Sequence, residues 1–348
     1  MRAVVLQGKG DVTVEDVPDP ELPGDDGAII KVERTAICGS DLHLYHGAMG
    51  AQGVRLGHEF VGTVEETGSG VRRLRNGDRV LVSGVIGCGR CPECLGRDPV
   101  VCSGGLPGKV FGVGPDLHGG QAEAVAVPSA DVFTLPIPDG VTTEQAVLLT
   151  DILPTGYLGA QRADITPGDT VVVIGLGPVG VFALQCAQLF GPARILAVDT
   201  VPERLARAEA LGAEPIDASK GSTPAQVYQA TGGKGAQAVI EAVGADQTIT
   251  DALFCCALGG TVSVIGVNLN FQFPLPAPLL LQRRLTLRFT LASIPSTWSV
   301  LVPLIERGKL HPEDVFTHHL GLSEAAEAYR TFDARADGCL KVLLDPSR

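Results

Sequence analysis

Val171-Val172-Val173-Ile174-Gly175-Leu176-Gly177-Pro178-Val179-Gly180 decides the fold. Four β-branched residues in a row read as a strand buried on both faces. The glycines follow as G-x-G-x-x-G, and Pro178 and Val179 open an apolar stretch to Leu189 that reads as a helix. Ile195 to Asp199 is the next strand, and Asp199 ends it where a dinucleotide-binding unit needs an acidic residue. Gly175 permits the tight turn, Gly177 lets the backbone approach a pyrophosphate, and Gly180 lets the helix pack close to the strand. The phosphates then rest on the helix N-terminus. Asp199 accepts hydrogen bonds from the adenosine ribose hydroxyls and repels a 2′-phosphate, which favours NAD over NADP. Arg204 softens that repulsion if it turns inward.

Outward from this stretch the alternation continues. Pro202 to Leu211 is a helix, and Ala238 to Glu241 and Thr261 to Ile265 are strands, so a doubly wound parallel sheet is expected. Before it, Ala28 to Val32, Phe60 to Val64 and Arg79 to Val82 are short β-branched segments between turn dipeptides, the pattern of an irregular β domain. From about Arg288 the rhythm is lost, and the chain ends in a short strand, Leu340 to Leu344, that returns to the first domain. At 348 residues the chain exceeds one ordinary core. The expected class is α/β with two domains, 1–151 joined by 288–348, and 152–287.

Cys38-Gly39-Ser40-Asp41-Leu42-His43 carries a thiol, a hydroxyl, a carboxylate and an imidazole within one turn of chain, and Gly57-His58-Glu59 adds a second imidazole and carboxylate. This is a donor inventory for catalytic zinc, which keeps one position open for substrate. Cys88-x2-Cys91-x2-Cys94-x7-Cys102 is a separate set, with Gly87, Gly89, Pro92 and Gly96 interleaved. Four thiolates fill a tetrahedral ion, so a structural zinc is expected in the loop 87–103. The rival iron–sulfur run needs its fourth cysteine after three residues with proline behind it, whereas here the gap is seven and Ser103 follows. Cys186, Cys255, Cys256 and Cys339 lie in apolar surroundings and read as packing residues.

A formal charge of −12 without a basic block excludes nucleic acid and anionic membrane surfaces as partners. Uncharged stretches occur, such as Thr170 to Ala193, but that one is broken by glycines, Pro178 and glutamines and does not read as a membrane span. Met1 to Leu6 runs at once into polar residues and gives no secretory pattern. Nine cysteines without such a signal point to a reducing compartment and a cytoplasmic protein.

Taken in order, C-G-S-D-x-H, G-H-E, the four-cysteine loop and G-x-G-x-x-G with Asp199 resemble the zinc-dependent medium-chain alcohol dehydrogenase family over the whole chain. Leu149 to Tyr157 further resembles its bacterial secondary-alcohol and formaldehyde-dehydrogenase-like branch. The resemblance implies a GroES-like catalytic domain and a Rossmann cofactor domain. It implies catalytic zinc ligands Cys38, His58 and Asp151, Glu59 as a neighbour that ligates transiently, and Asp41 orienting His58. By the same resemblance Thr155 and Val179 flank the nicotinamide, and backbone around Ile265 to Val267 holds its carboxamide. The residues suit the chemistry: metal-bound alcohol loses its proton near neutral pH, Ser40 relays it, His43 releases it, and hydride passes to NAD. Gly39 stands where the animal enzymes carry a basic residue, so phosphate binding leans on backbone amides. His46, Tyr45 and Met49 are candidates for the pocket wall, and Trp298 for a substrate or subunit contact.

Two zinc ions and NAD are thus the expected cofactors, a primary or secondary alcohol and its aldehyde or ketone the substrates, and a homodimer or homotetramer the assembly. A polyol or amino-alcohol dehydrogenase is the alternative, with Asp151 against the sorbitol type. A non-catalytic dinucleotide-binding protein has no need of Cys38, His58, Asp151, Ser40 and His43 together.

Overall fold

Thr170–Ile174 (β1) is buried on both faces, Val171, Val172 and Val173 being wholly inaccessible, as an all-parallel sheet demands. It is followed by Pro178–Gln188 (α1), Arg194–Asp199 (β2), Pro202–Ala210 (α2), Glu214–Asp217 (β3), Thr223–Ala230 (α3), Ala236–Glu241 (β4), Asp246–Cys255 (α4), Cys256–Val264 (β5), Ala277–Arg283 (α5) and Thr286–Phe289 (β6). The strands pair in the order β3-β2-β1-β4-β5-β6, all parallel. The order reverses between β1 and β4, which makes the carboxyl end of β1 the switch point where such sheets bind ligands. The computed structural model describes residues 1–104 and 108–348, and this sheet belongs to the compact unit Thr155–Leu291.

The second unit comprises Met1–Pro154 and Ala292–Arg348. Both divisions fall a few residues beyond those expected from the sequence. Its main sheet runs Thr134–Pro136, Arg79–Val82, Glu59–Thr67, Ala28–Ala36, Val342–Asp345, His318–Gly321, with Ala124–Val127 also paired to Ala28–Ala36. Register in this sheet assembles one end of it. Ala36 pairs with both Glu59 and Leu343. Cys38 just past Ala36, His58 just before Glu59, and Lys341 just before Val342 therefore emerge together. Glycine brings a fourth segment in. A Cβ on Gly84 would lie 2.6 Å from the His58 carbonyl oxygen, and the Gly84 amide donates to Thr150 O at 2.9 Å, which sets Asp151 beside His58. Trp298, 3% exposed, donates its indole N–H to Leu149 O at 2.9 Å. It is a buried anchor for that segment rather than a lid over substrate. Tyr45 is likewise core, packed 5.4 Å from the Tyr329 ring, while His46 bonds Asp333 and Met49 is exposed.

Candidate active site and metal centres

Cys38, His58, Glu59 and Asp151 bring one donor atom each within 4.8 Å of one another. The separations decide what they suit. Cys38 Sγ lies 3.4 Å from Asp151 Oδ2, and His58 Nε2 lies 3.3 Å from the same oxygen. Donors around tetrahedral zinc, with bonds of 2.0–2.3 Å, stand roughly 3.3–3.8 Å apart. The two edges that meet at Asp151 Oδ2 already have that length. Ser40 Oγ is 3.2 Å from both Cys38 Sγ and His58 Nε2, next to the ligand cluster.

Electrostatics agrees with geometry. Burial pushes the Cys38 thiol up to about 11, with His58 opposing and the charges of Asp151 and Glu59 adding. A thiol so placed needs a cation to ionise. Glu59 is wholly buried, and burial raises its carboxyl against the ammonium of Lys341, which is also inaccessible and lies 2.5 Å from Oε1. Its Oε2 has no hydrogen-bond partner among the described residues. An orphaned carboxylate oxygen beside three converging donors fits a metal neighbour. Asp41 accepts the Cys38 amide at 2.9 Å through Oδ2, and its Oδ1 lies 3.3 Å from His58 Nδ1. The latter is an ion-pair approach rather than an aligned hydrogen bond, since Nδ1 has no aligned partner.

The four cysteines also converge. Cys88, Cys91, Cys94 and Cys102 place their sulfurs within 4.8 Å of one another, and Cys91 and Cys102 are 3.8 Å apart. Backbone amides of Cys88 and Cys94 point at Cys102 and Cys91 sulfurs, at 3.3 and 3.5 Å. Gly87 and Gly104 are glycine for space: a Cβ would meet Cys94 Sγ at 2.6 Å and Cys88 Sγ at 2.3 Å. Burial raises the Cys94 thiol to about 12, so this cluster too needs a cation to hold thiolates together. The four remaining cysteines are buried.

In the other unit the glycine turn has the form its motif requires. Gly175 sits at φ +87°, and a Cβ on Gly180 would lie 1.8 Å from Gly175 O. Asp199 Oδ2 accepts the Leu176 amide at 2.7 Å. Arg204 has turned inward, with Nη1 3.7 Å from Asp199 Oδ2 and within 3.9 Å of the Cβ position of Gly177. Glu241, invisible as a motif, is buried at the end of β4. It accepts the Val243 and Gly244 amides and the Thr248 hydroxyl at 2.7–3.1 Å. Val243 in that turn packs on Gly175, where an added Cβ would meet its Cγ2 at 2.4 Å. Thr155 is half-buried in the helix Ile152–Arg162, Ile265 is buried, and Val267 is exposed. His43 is half-buried in the helix Asp41–Tyr45, where burial, and then the charge of His46, lower its basicity.

Comparison with known proteins follows the same division. Residues 24–139 match the alcohol dehydrogenase GroES-like domain, and residues 178–307 match the zinc-binding dehydrogenase domain. A probable zinc-binding alcohol dehydrogenase of Mycobacterium tuberculosis is 49% identical over 99% of this chain and 89% of its own. The solved alcohol dehydrogenase TADH from Thermus sp. ATN1 superposes with a TM-score of 0.91 at 41% identity, covering 99% of both chains. A solved NAD-dependent alcohol dehydrogenase superposes with a TM-score of 0.84 at 28% identity, again covering 99% of both.

Proposed function

We propose, for a chain that belongs to the zinc-dependent medium-chain alcohol dehydrogenase family, that it interconverts primary or secondary alcohols with aldehydes or ketones. Two zinc ions, one catalytic and one structural, and NAD are its cofactors. Bound catalytic zinc supplies Lewis acidity to the alcohol oxygen, and bound NAD supplies the hydride acceptor.

The chain's own residues do the rest. Cys38, His58 and Asp151 hold the catalytic ion, Asp41 backs His58, and Glu59 waits on Lys341 as an inner neighbour. Cys88, Cys91, Cys94 and Cys102 hold the structural ion. Ser40, adjacent to two of the ligand atoms, takes the substrate proton, and His43, whose basicity burial lowers, releases it to water. Gly175, Gly177, Pro178 and Gly180 cradle the pyrophosphate, Asp199 holds the ribose with Arg204 turned in beside it, and Thr155 and Val179 flank the nicotinamide while Ile265 to Val267 hold its carboxamide. Phe289, Leu291, Phe271 and Leu281 are exposed on and around the edge strand β6, which supports a second copy of this chain as partner. Light scattering then gives a mass of at least twice 36.1 kDa, and a monomer refutes that assembly. Among the described residues no helix is long and apolar enough to cross a membrane. A cytoplasmic setting suits a chain that commits four thiols to one metal cluster, and cell fractionation tests it.

The observation that carries this reading is the convergence of a buried thiol, an imidazole and a carboxylate at zinc-ligand separations. NADH formation, read at saturating NAD across ethanol, benzyl alcohol, butanol isomers, 2,3-butanediol, sorbitol and threonine, tests it. Turnover is expected to be greatest with the simple alcohols. Preference for sorbitol or threonine moves the protein to the polyol or amino-alcohol class, and absence of turnover with every compound contradicts the reading.

A further inference from the structure

Behind the site lie four buried side chains that no motif joins: Tyr329, from the helix Ala325–Ala334, then Gln121, Asp41 and His58. The Tyr329 hydroxyl donates to Gln121 Oε1 at 2.9 Å. Gln121 Nε2 donates to Ala36 O and to Asp41 Oδ2, each at 3.2 Å. The Cys38 amide shares that Oδ2 at 2.9 Å, and Oδ1 faces His58 Nδ1 at 3.3 Å.

Donor and acceptor chemistry admits one arrangement. A backbone carbonyl and a carboxylate only accept, so the amide nitrogen of Gln121 must face them. Its amide oxygen is then left needing a donor in a place closed to water, and Tyr329 is that donor. Burial first, and next the charge of Asp41, keep the proton on the phenol well above its ordinary range. The backbone is shaped for the relay as well. Gly57, at φ +101°, leaves room for Gln121, since a Cβ would fall 2.5 Å from Gln121 Cγ.

We propose that Tyr329 and Gln121 are positioning residues for the zinc ligand His58. The Tyr329 hydroxyl orients the Gln121 amide, the amide saturates Asp41 Oδ2, and Oδ1 is left facing His58 Nδ1 at 3.3 Å, where its charge favours the proton on that nitrogen. His58 Nε2 is thereby kept as the metal donor. Without the hydroxyl the amide is free to turn, and once turned its oxygen opposes two other acceptors. The inference rests on the assignment of Cys38, His58 and Asp151 as zinc ligands.

The test uses zinc-loaded wild type, Tyr329→Phe, Gln121→Leu and the double variant. Zinc release to excess chelator is followed for each site, with the visible spectrum of the form carrying cobalt at the catalytic site. The four-cysteine zinc is the internal control. Each single variant is expected to speed release from the catalytic site about tenfold, to shift the cobalt bands, and to leave the cysteine site unchanged. The double variant is expected to be no faster than Gln121→Leu, because the relay is already cut. Wild-type release and spectra in both single variants, or effects that add in the double, overturn the proposal. If Tyr329→Phe does not fold, Gln121→Leu alone decides by the same two readouts. Wild type that holds zinc only on its cysteine cluster removes the ligand assignment and this inference with it. Two zinc ions with indifferent variants remove the inference alone.

Discussion

At Asp199 both carboxylate oxygens are already engaged by the chain. Oδ2 takes the Leu176 amide at 2.7 Å, and Oδ1 takes those of Thr200 and Val201 at 2.7 and 3.0 Å. A carboxylate has about four lone-pair sites, so capacity remains for ribose hydroxyls. The same side chain therefore shapes the glycine turn and recognises the cofactor. Asp199→Gly is expected to raise the KM for NAD by about 10- to 100-fold, the loss of a hydrogen bond to a charged group being worth about 1.5–3 kcal/mol. It should also narrow the preference for NAD over NADP, because the carboxylate that repels a 2′-phosphate is gone. Steady-state kinetics with both cofactors checks this, and an unchanged ratio contradicts the role. Asp199 was legible because a motif fixes its place relative to the glycines. Lys341, Gln121 and Tyr329 were not, since each sits alone, just before a strand, in a loop or in a helix, and its polar end finds a partner only after the fold closes.

The strands Ala28–Ala36, Glu59–Thr67 and Arg79–Val82 carry the site, and one polar clamp crosses them. Arg79 meets Glu33 through Nη2 at 2.8 Å and Nε at 3.1 Å, and the Thr63 hydroxyl donates to Glu33 at 2.5 Å. Burial acts to raise the Glu33 carboxyl, but the bonds from Arg79 and Thr63 and the charges of Arg79 and Arg34 outweigh it and hold it below 4.5. A folded-state pKa below the unfolded one stabilises above the unfolded value, and the gain is lost as pH falls through the folded one. Both side chains are partly exposed, so Glu33→Gln is expected to cost only about 0.5–1 kcal/mol at neutral pH. Urea titration of wild type and variant should show this difference shrinking as pH drops below 4.5, and a constant difference contradicts the clamp. Strands such as Thr170–Ile174 were plain in the sequence because burial on both faces writes a continuous apolar run. Glu214–Asp217 was not. It is an edge strand containing Pro215, with only Ile216 buried, and such a strand leaves no periodicity to read.

Across the whole molecule the chain divides its labour by unit: one unit collects metal donors from four distant segments, and the other presents a dinucleotide turn at a sheet's switch point. Donor identity was legible at Cys38, His58 and the four-cysteine loop, where spacing alone suggests chemistry. Asp151 was reached only through resemblance, because a single aspartate after Leu149-Thr150 has no local signature. Its distance from Cys38 is a product of strand register and of Gly84 admitting the Thr150 segment. That aspartate is accordingly where the account is most exposed. Zinc per chain measured in Asp151→Ala beside wild type tests it most directly. Two ions in wild type falling to one in the variant, with the cysteine-bound ion retained, is the predicted result. Two ions in both would contradict the catalytic metal centre.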